Sequence, residues 1–269
     1  MDANYTLDDL RYLMRRLRAP ESGCPWDLKQ DFRSITAATI EEAYEVVDAI
    51  ENGDREQVKE ELGDLLFQII FYSQLAQEEA SFSWEQIVHT LTEKLVRRHP
   101  HVFPSGDLHA INSGDTGPTD VKAQWEAIKS EERAKKGLTQ LLDDIPLGLP
   151  AMTRAYKLQK RAASIGYDWR ALEPVFAKLD EEVMELKAAI DVGTPDAILD
   201  ELGDVLFTVV NIARHLKAEP ETALRRSNAR FGQRINAVVK LAESQGRDLD
   251  ALNDNELDEL WRAAKISTQ

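Results

Sequence analysis

The sequence predicts an all-α protein built from two copies of one helical domain. Three observations carry this. Apolar residues recur at three- and four-residue steps along most of the chain, as in Leu7, Leu10, Leu13, Met14 and Leu17. The strict alternation of apolar and polar residues that marks a half-buried strand is scarce. A segment near the N-terminus returns, residue type by residue type, 140 positions later.

The elements follow in order. Thr6 precedes Leu7-Asp8-Asp9, and Ser83 precedes Trp84-Glu85-Gln86. Each pattern lets a hydroxyl and the side chain three residues on cap a first helical turn reciprocally. Ile40, Ala43, Tyr44 and Val47 mark one amphipathic helix, and Leu62, Leu65, Leu66, Ile69 and Ile70 mark the next. From His99 to Thr119 the periodicity stops at Pro100, Pro104, Gly106, Gly114, Gly117 and Pro118, which predicts a loop or linker. Val121 to Lys135 reads as one charged helix whose less polar side is Trp125, Ile128 and Lys129. Leu141 to Pro150, with Pro146 and Gly148, is a second break. The predicted organisation is an N-terminal domain over 1–118, a helix and linker over 119–150, and a C-terminal domain over 151–269.

Composition narrows the function classes. The chain has 269 residues, 43% hydrophobic and 30% charged, which excludes disordered and low-complexity proteins. Its net charge of −15 disfavours nucleic acid and anionic membrane surfaces as partners. The most apolar run, Leu65 to Tyr72, is eight residues long and contains Gln68, too short to span a bilayer. Met1 to Arg18 carries both signs of charge and lacks the apolar core of a secretion signal. One cysteine, Cys24, excludes an intramolecular disulfide and a cysteine-ligated zinc site. It lies beside Pro25 and reads as structural. A cytoplasmic protein is expected.

The repeat carries the chemistry. Glu41-Glu42-Ala43-Tyr44-Glu45 returns as Glu181-Glu182-Val183-Met184-Glu185. Glu61-Leu62-Gly63-Asp64 returns as Glu201-Leu202-Gly203-Asp204. Glu45 and Glu61, like Glu42 and Asp64, are centred on Gly53; their counterparts are centred on Gly193. A glycine at a turn ends a helix without a Cβ penalty. Each copy therefore reads as two antiparallel helices hinged at that glycine, with positions equidistant from the turn at equal height. Steps of three keep both acids of each helix on one face. Four carboxylates converge: Glu42, Glu45, Glu61 and Asp64 in one copy, Glu182, Glu185, Glu201 and Asp204 in the other. Because Asp64 and Asp204 sit in apolar stretches, they are expected to be partly buried and to need a cation. An all-oxygen donor set points to Mg²⁺, Mn²⁺ or Ca²⁺ rather than zinc or copper. The Ca²⁺ loop of an EF-hand is absent, and neither acidic motif has the E-x-x-H step of a di-iron bundle. A solvated acidic helix face explains one such motif; a duplication whose copies drifted little explains the likeness of two, but not acidic residues in an apolar stretch.

The pattern E-E-x-x-E, a spacer, then E-x-x-D, present twice, resembles the MazG family of all-α nucleoside triphosphate pyrophosphohydrolases. Further stretches that resemble it are Gly23-Cys24-Pro25-Trp26-Asp27, Arg97-Arg98-His99-Pro100-His101-Val102-Phe103, Asp143-Asp144-Ile145-Pro146 and Asn211-Ile212-Ala213-Arg214-His215-Leu216. The resemblance implies a homodimer that hydrolyses nucleoside triphosphates to the monophosphate and pyrophosphate with Mg²⁺, or Mn²⁺ in its place. It implies Glu182, Glu185, Glu201 and Asp204 as the metal ligands of the active C-terminal copy, and Glu42, Glu45, Glu61 and Asp64 as those of the first. It places Lys178 on the phosphates, together with Asn228, Arg230, Phe231 and Arg234, where Arg230 stands at the family's lysine. Lys94 and Arg98 are the weaker first-copy counterparts, with Thr92 at the asparagine position and Ala38 at that of Lys178. Basic residues opposite a divalent ion suit a triphosphate. Arg230 and Arg234 also fit a merely solvated helix face. Glu181 is either a residue that orients or deprotonates water or an ordinary surface glutamate; Trp169 and Tyr167 either stack on a base or pack in the core. Two other functions stay open: a non-catalytic helical interaction protein with relic metal sites, and a narrower dUTP or dCTP pyrophosphatase.

Overall fold

The computed structural model describes residues 4–110, 121, 124–125, 127–128, 131–132 and 140–268. Among them there are helices and turns and no strand. The chain divides into two compact units, Met1–Ile128 and Lys129–Gln269, and the division falls within the predicted connecting segment 119–150. Of the helix predicted over 121–135, the described positions are helical; the others, Lys129 and Lys135 among them, lie outside the described residues. No helix among the described residues is long and apolar enough to cross a membrane.

Unit 1 holds α1 (Leu7–Leu17), α2 (Thr36–Asn52), α3 (Arg55–Glu78) and α4 (Trp84–Arg98). Both predicted capping boxes form. The Asp9 amide donates to Thr6 Oγ1 while Thr6 N–H donates to Asp9, and Gln86 and Ser83 repeat the exchange. Gly53 ends α2 in the left-handed region, φ +76°, which only glycine enters cheaply. Asp54 then caps α3 through the Glu56 and Gln57 amides. The two-residue turn folds α3 back antiparallel on α2, and α1 and α4 pack on α3. Met14, Ile35, Ile70, Phe71 and Leu75 make the core, flanked by Phe32, Phe67 and Tyr72. Fully burying such a side chain contributes roughly 1.5–3 kcal/mol.

Unit 2 holds α5 (Ala151–Ala163), α6 (Glu173–Val192), α7 (Pro195–His215), α8 (Pro220–Ser244) and α9 (Asp254–Ser267). Helices α6 and α7 form the main antiparallel pair, α5 lies on α7 and α8, and α9 packs on α8 around Val238, Ala242, Leu260 and Ala264. The hinge differs from the expected one. Gly193 is extended, φ −88° and ψ 174°, rather than left-handed. Glycine is required there by close approach: a Cβ would lie 2.3 Å from the Ala189 carbonyl oxygen. Thr194 caps α7, whose first residue, Pro195, has no N–H to satisfy.

A second expectation is corrected. Asp64 and Asp204 are exposed, as are Leu62, Leu202, Leu206 and Phe207 beside them. Among the described residues of unit 2, the buried carboxylate is Glu182. The apolar stretches of α3 and α7 turn one face to the core and leave another uncovered.

Candidate active site

The hairpin geometry follows from sequence spacing, but each hairpin gathers three acids rather than four. In unit 1, carboxylate oxygens of Glu42, Glu45 and Glu61 lie within 4.8 Å of one another; in unit 2 those of Glu182, Glu201 and Asp204 do. Three like charges so close repel one another, most strongly at the buried Glu182, while Glu45 and Asp204 reach solvent. Burial, and then the charges of Asp64 and Glu45, raise the Glu42 carboxyl above its ordinary range against a hydrogen bond from Gln68. Burial also raises Glu185, with Glu182 and Glu201 adding repulsion and Lys178 opposing it. The fourth acid of each motif, Asp64 or Glu185, therefore stands outside the cluster but within its field. An all-carboxylate set of this size fits a hard divalent cation.

Unit 2 adds a cavity of about 690 Å³ beside the cluster. That is the size of a small-molecule site. Leu158, Ala162, Tyr167, Trp169 and Phe207 supply its apolar wall; Lys178, Glu182 and Asp204 stand at its acidic side. Lys178 Nζ lies 2.8 Å from both Glu181 and Glu182, and the two carboxylates hold its ammonium above the usual range. Another side is polar. The buried Gln159, Thr208 and Asn211 line it, together with the half-buried Arg214 and the exposed Asp168. Arg214 forks onto Asp168, with Nη1 2.9 Å from Oδ2 and Nη2 on Oδ1, and His215 Nε2 lies 3.2 Å from the same carboxylate. The Arg214 hydrogen bonds hold the Asp168 carboxyl below its ordinary range.

Of the residues singled out from sequence, Lys178, Glu182, Asp204, Trp169 and Tyr167 line this cavity, and Glu201 completes the acid cluster. Glu181 is exposed and accepts from Lys178. Asn228, Arg230 and Arg234 lie on α8 and do not line the cavity; Arg234 stands over Trp261 at 5.9 Å, and Phe231 packs on the same ring. Gln159, Asp168 and Thr208 were missed, and Asn211 and Arg214 were matched without a role. A signal was present: Glu201, Asp204, Thr208, Asn211 and His215 follow steps of three and four, a polar stripe down one face of an apolar helix. In the first copy the same stripe reads Glu61, Asp64, Gln68, Phe71 and Leu75. Phe71, at the position of Asn211, is 1% exposed and packs edge-to-face on Phe67, so a ring stands at the position of the polar floor.

A duplicated all-α chain with acid clusters on its helix hairpins has relatives. The family model of the MazG nucleotide pyrophosphohydrolase domain matches residues 30–103 and 171–239, one segment on each hairpin. The chain belongs to the MazG family. It is 44% identical to the nucleoside triphosphate pyrophosphohydrolase of Escherichia coli (strain K12), over 96% of this chain and 97% of that protein. It is 40% identical to the nucleoside triphosphate pyrophosphohydrolase/pyrophosphatase MazG of Thermotoga maritima, over 98% of this chain and 97% of that one. It also matches the uncharacterized protein YabN of Bacillus subtilis, 38% identical over 95% of this chain and 50% of that protein.

Proposed function

We propose that this chain hydrolyses nucleoside triphosphates to the monophosphate and pyrophosphate in the C-terminal copy, clearing the nucleotide pool. One observation carries the reading: the Glu182, Glu201 and Asp204 cluster opens on a cavity large enough for a nucleoside. The names of the E. coli and T. maritima relatives support it. Glu182, Glu201 and Asp204, with Glu185 beside them, are the residues to hold Mg²⁺, or Mn²⁺ in its place. Bound there, the ion would neutralise phosphate charge and align the phosphate chain for attack by water. The chain's own groups do the rest. Lys178 stays charged at neutral pH and faces the phosphates, anchored by Glu181 and Glu182. Glu181, exposed next to the cluster, accepts the proton of the attacking water. Trp169, Tyr167 and Phe207 line the cavity and flank the nucleoside.

The first copy keeps its acid cluster, but Phe71 stands where the second copy has Asn211, and Ala38 stands where it has Lys178. It binds metal and hydrolyses slowly or serves assembly. The reading extends to a homodimer. Met184, Ile190, Leu202, Leu206 and Phe207 are all more than two-fifths exposed on α6 and α7, a surface that asks for a cover. A second copy supplies it, and Asn228, Arg230 and Arg234 then have a partner's phosphates to meet. A cytoplasmic location goes with an enzyme of the nucleotide pool.

The test is a pyrophosphate-release assay over ribo- and deoxyribonucleoside triphosphates, with and without Mg²⁺. Metal-dependent release is expected. No release from any triphosphate overturns the reading in favour of a non-catalytic helical protein, and release from dUTP or dCTP alone narrows it. Light scattering at the 30.4 kDa monomer mass overturns the homodimer.

A further inference from the structure

The polar floor of the unit 2 cavity has a feature that metal and phosphate chemistry does not use. Two buried side-chain amides line it, and both have fixed orientations. Gln159 is 8% exposed and its Nε2 donates to the Phe207 backbone oxygen at 2.8 Å. A carbonyl only accepts, so the amide nitrogen must face it and Oε1 must face away. That Oε1 is buried and has no hydrogen-bond partner among the described residues. Asn211 is 5% exposed, and its Oδ1 accepts from Arg214 Nε at 3.0 Å and Nη2 at 2.7 Å. A guanidinium only donates, so the oxygen must face Arg214, which leaves Nδ2 free to donate elsewhere. Arg214 is itself pinned by its two-pronged ion pair with Asp168. Two residues that line the cavity thus hold one unpaired acceptor, Gln159 Oε1, and one donor, Asn211 Nδ2, each amide fixed by its other end.

An orphaned buried acceptor is costly, and a ligand that brings a donor removes the cost. We infer that Gln159 Oε1 and Asn211 Nδ2 form a nucleobase-reading pair, with Asp168 and Arg214 as positioning residues that keep Asn211 in its donating orientation. This rests on the reading that the cavity takes the nucleoside part of a triphosphate. Each common base carries a donor next to an acceptor on its pairing edge: N6–H and N1 in adenine, N4–H and N3 in cytosine, N1–H and O6 in guanine, N3–H and O4 in uracil. One acceptor and one donor in fixed positions match adenine and cytosine in one order and guanine and uracil in the reverse order, and reject a base that lacks either group.

Purine riboside 5′-triphosphate is the discriminating probe, because it is ATP without the amino donor. The wild-type protein is expected to favour ATP over it at least ~10-fold in kcat/KM, the factor one unmade hydrogen bond removes in a site built around it. Gln159→Leu should bring that ratio to about 1 by lowering the ATP value alone. Asn211→Leu should lower both values by about the same ~10-fold, since both bases keep the acceptor, and should leave the ratio intact. A wild-type ratio within twofold of 1 overturns the inference. So does a Gln159→Leu protein that loses both substrates equally, as a merely structural role predicts. If Gln159→Leu does not fold, the wild-type ratio and Asn211→Leu decide. Absence of pyrophosphate release from every triphosphate overturns the proposed function alone. The same ratios are then read from the dissociation constants of the two triphosphates, measured by equilibrium dialysis with Mg²⁺.

Discussion

Neutralising Glu201 should make the metal-free protein more stable while it destroys the site. Glu201 is half-buried in α7, and its carboxylate lies within 4.8 Å of those of Glu182 and Asp204. At that separation each pair repels by about 3.5 kcal/mol at an effective dielectric of ~20, and by about 0.9 kcal/mol in bulk water. Glu182 is buried and Asp204 exposed, so the two pairs fall toward opposite ends of that range. Glutamine keeps the shape and removes both repulsions, and because the Lys178 ammonium 2.8 Å from Glu182 already offsets part of them, the relief is roughly 1 kcal/mol after screening. In a unit of this size the melting temperature should rise by roughly 3–5 °C in EDTA. Wild type should gain about 2.7 kcal/mol from Mg²⁺ at 100 times its Kd, whereas Glu201→Gln should barely respond. Turnover should fall at least ~100-fold. The assay is thermal unfolding followed by circular dichroism, in EDTA and in a Mg²⁺ series, beside pyrophosphate release. If Glu201→Gln melts below wild type in EDTA, or climbs with Mg²⁺ as far as wild type does, the cluster is not a set of mutually repelling metal ligands.

The two copies can be separated with a matched pair. Asp204→Asn should abolish most pyrophosphate release and Asp64→Asn should leave most of it; the reverse result would assign the activity to unit 1. The two hinge glycines should respond differently to alanine. Gly53→Ala meets open space but an unfavourable φ, costing about 1 kcal/mol, whereas Gly193→Ala drives a Cβ into the Ala189 carbonyl. Gly193→Ala should lower both the melting temperature and the Mg²⁺ affinity of unit 2, and equal effects at the two sites would contradict the close-approach explanation. The Asp168 ion pair makes a pH prediction. Its folded pKa is depressed, chiefly by the Arg214 hydrogen bonds. Its contribution is therefore complete above the unfolded value of ~3.9 and is lost as pH falls through the lower folded value. The melting-temperature gap between wild type and Asp168→Asn should be full at neutral pH and close below about pH 4; a gap that persists at lower pH would show that packing, not charge, supports it.

Much of this protein is written in local spacing. A helix repeats every 3.6 residues, so Thr6 with Asp9, Ser83 with Gln86, and each acid pair within a helix are fixed by positions three apart. A two-residue turn at Gly53 or Gly193 adds one constraint, and the height at which Glu61 faces Glu45 or Glu201 faces Glu185 follows by symmetry about it. Rotation of each helix about its own axis is not set by that symmetry. It depends on what else the helix packs against, and it decided that Asp204 joins Glu182 and Glu201 while Glu185 stays outside. The φ of Gly193 was likewise settled by the path of the chain into Thr194. The cavity needed contacts that no local pattern encodes. Gln159 reaches Phe207 across 48 positions, and Arg214 reaches Asp168 across 46. The polar stripe on α7 could be read from the sequence, but whether it faced water or a cavity was decided by α5 lying against it. Only packing distinguishes the two copies at that point, because a helix accepts Phe71 as readily as Asn211, and the space beside it does not.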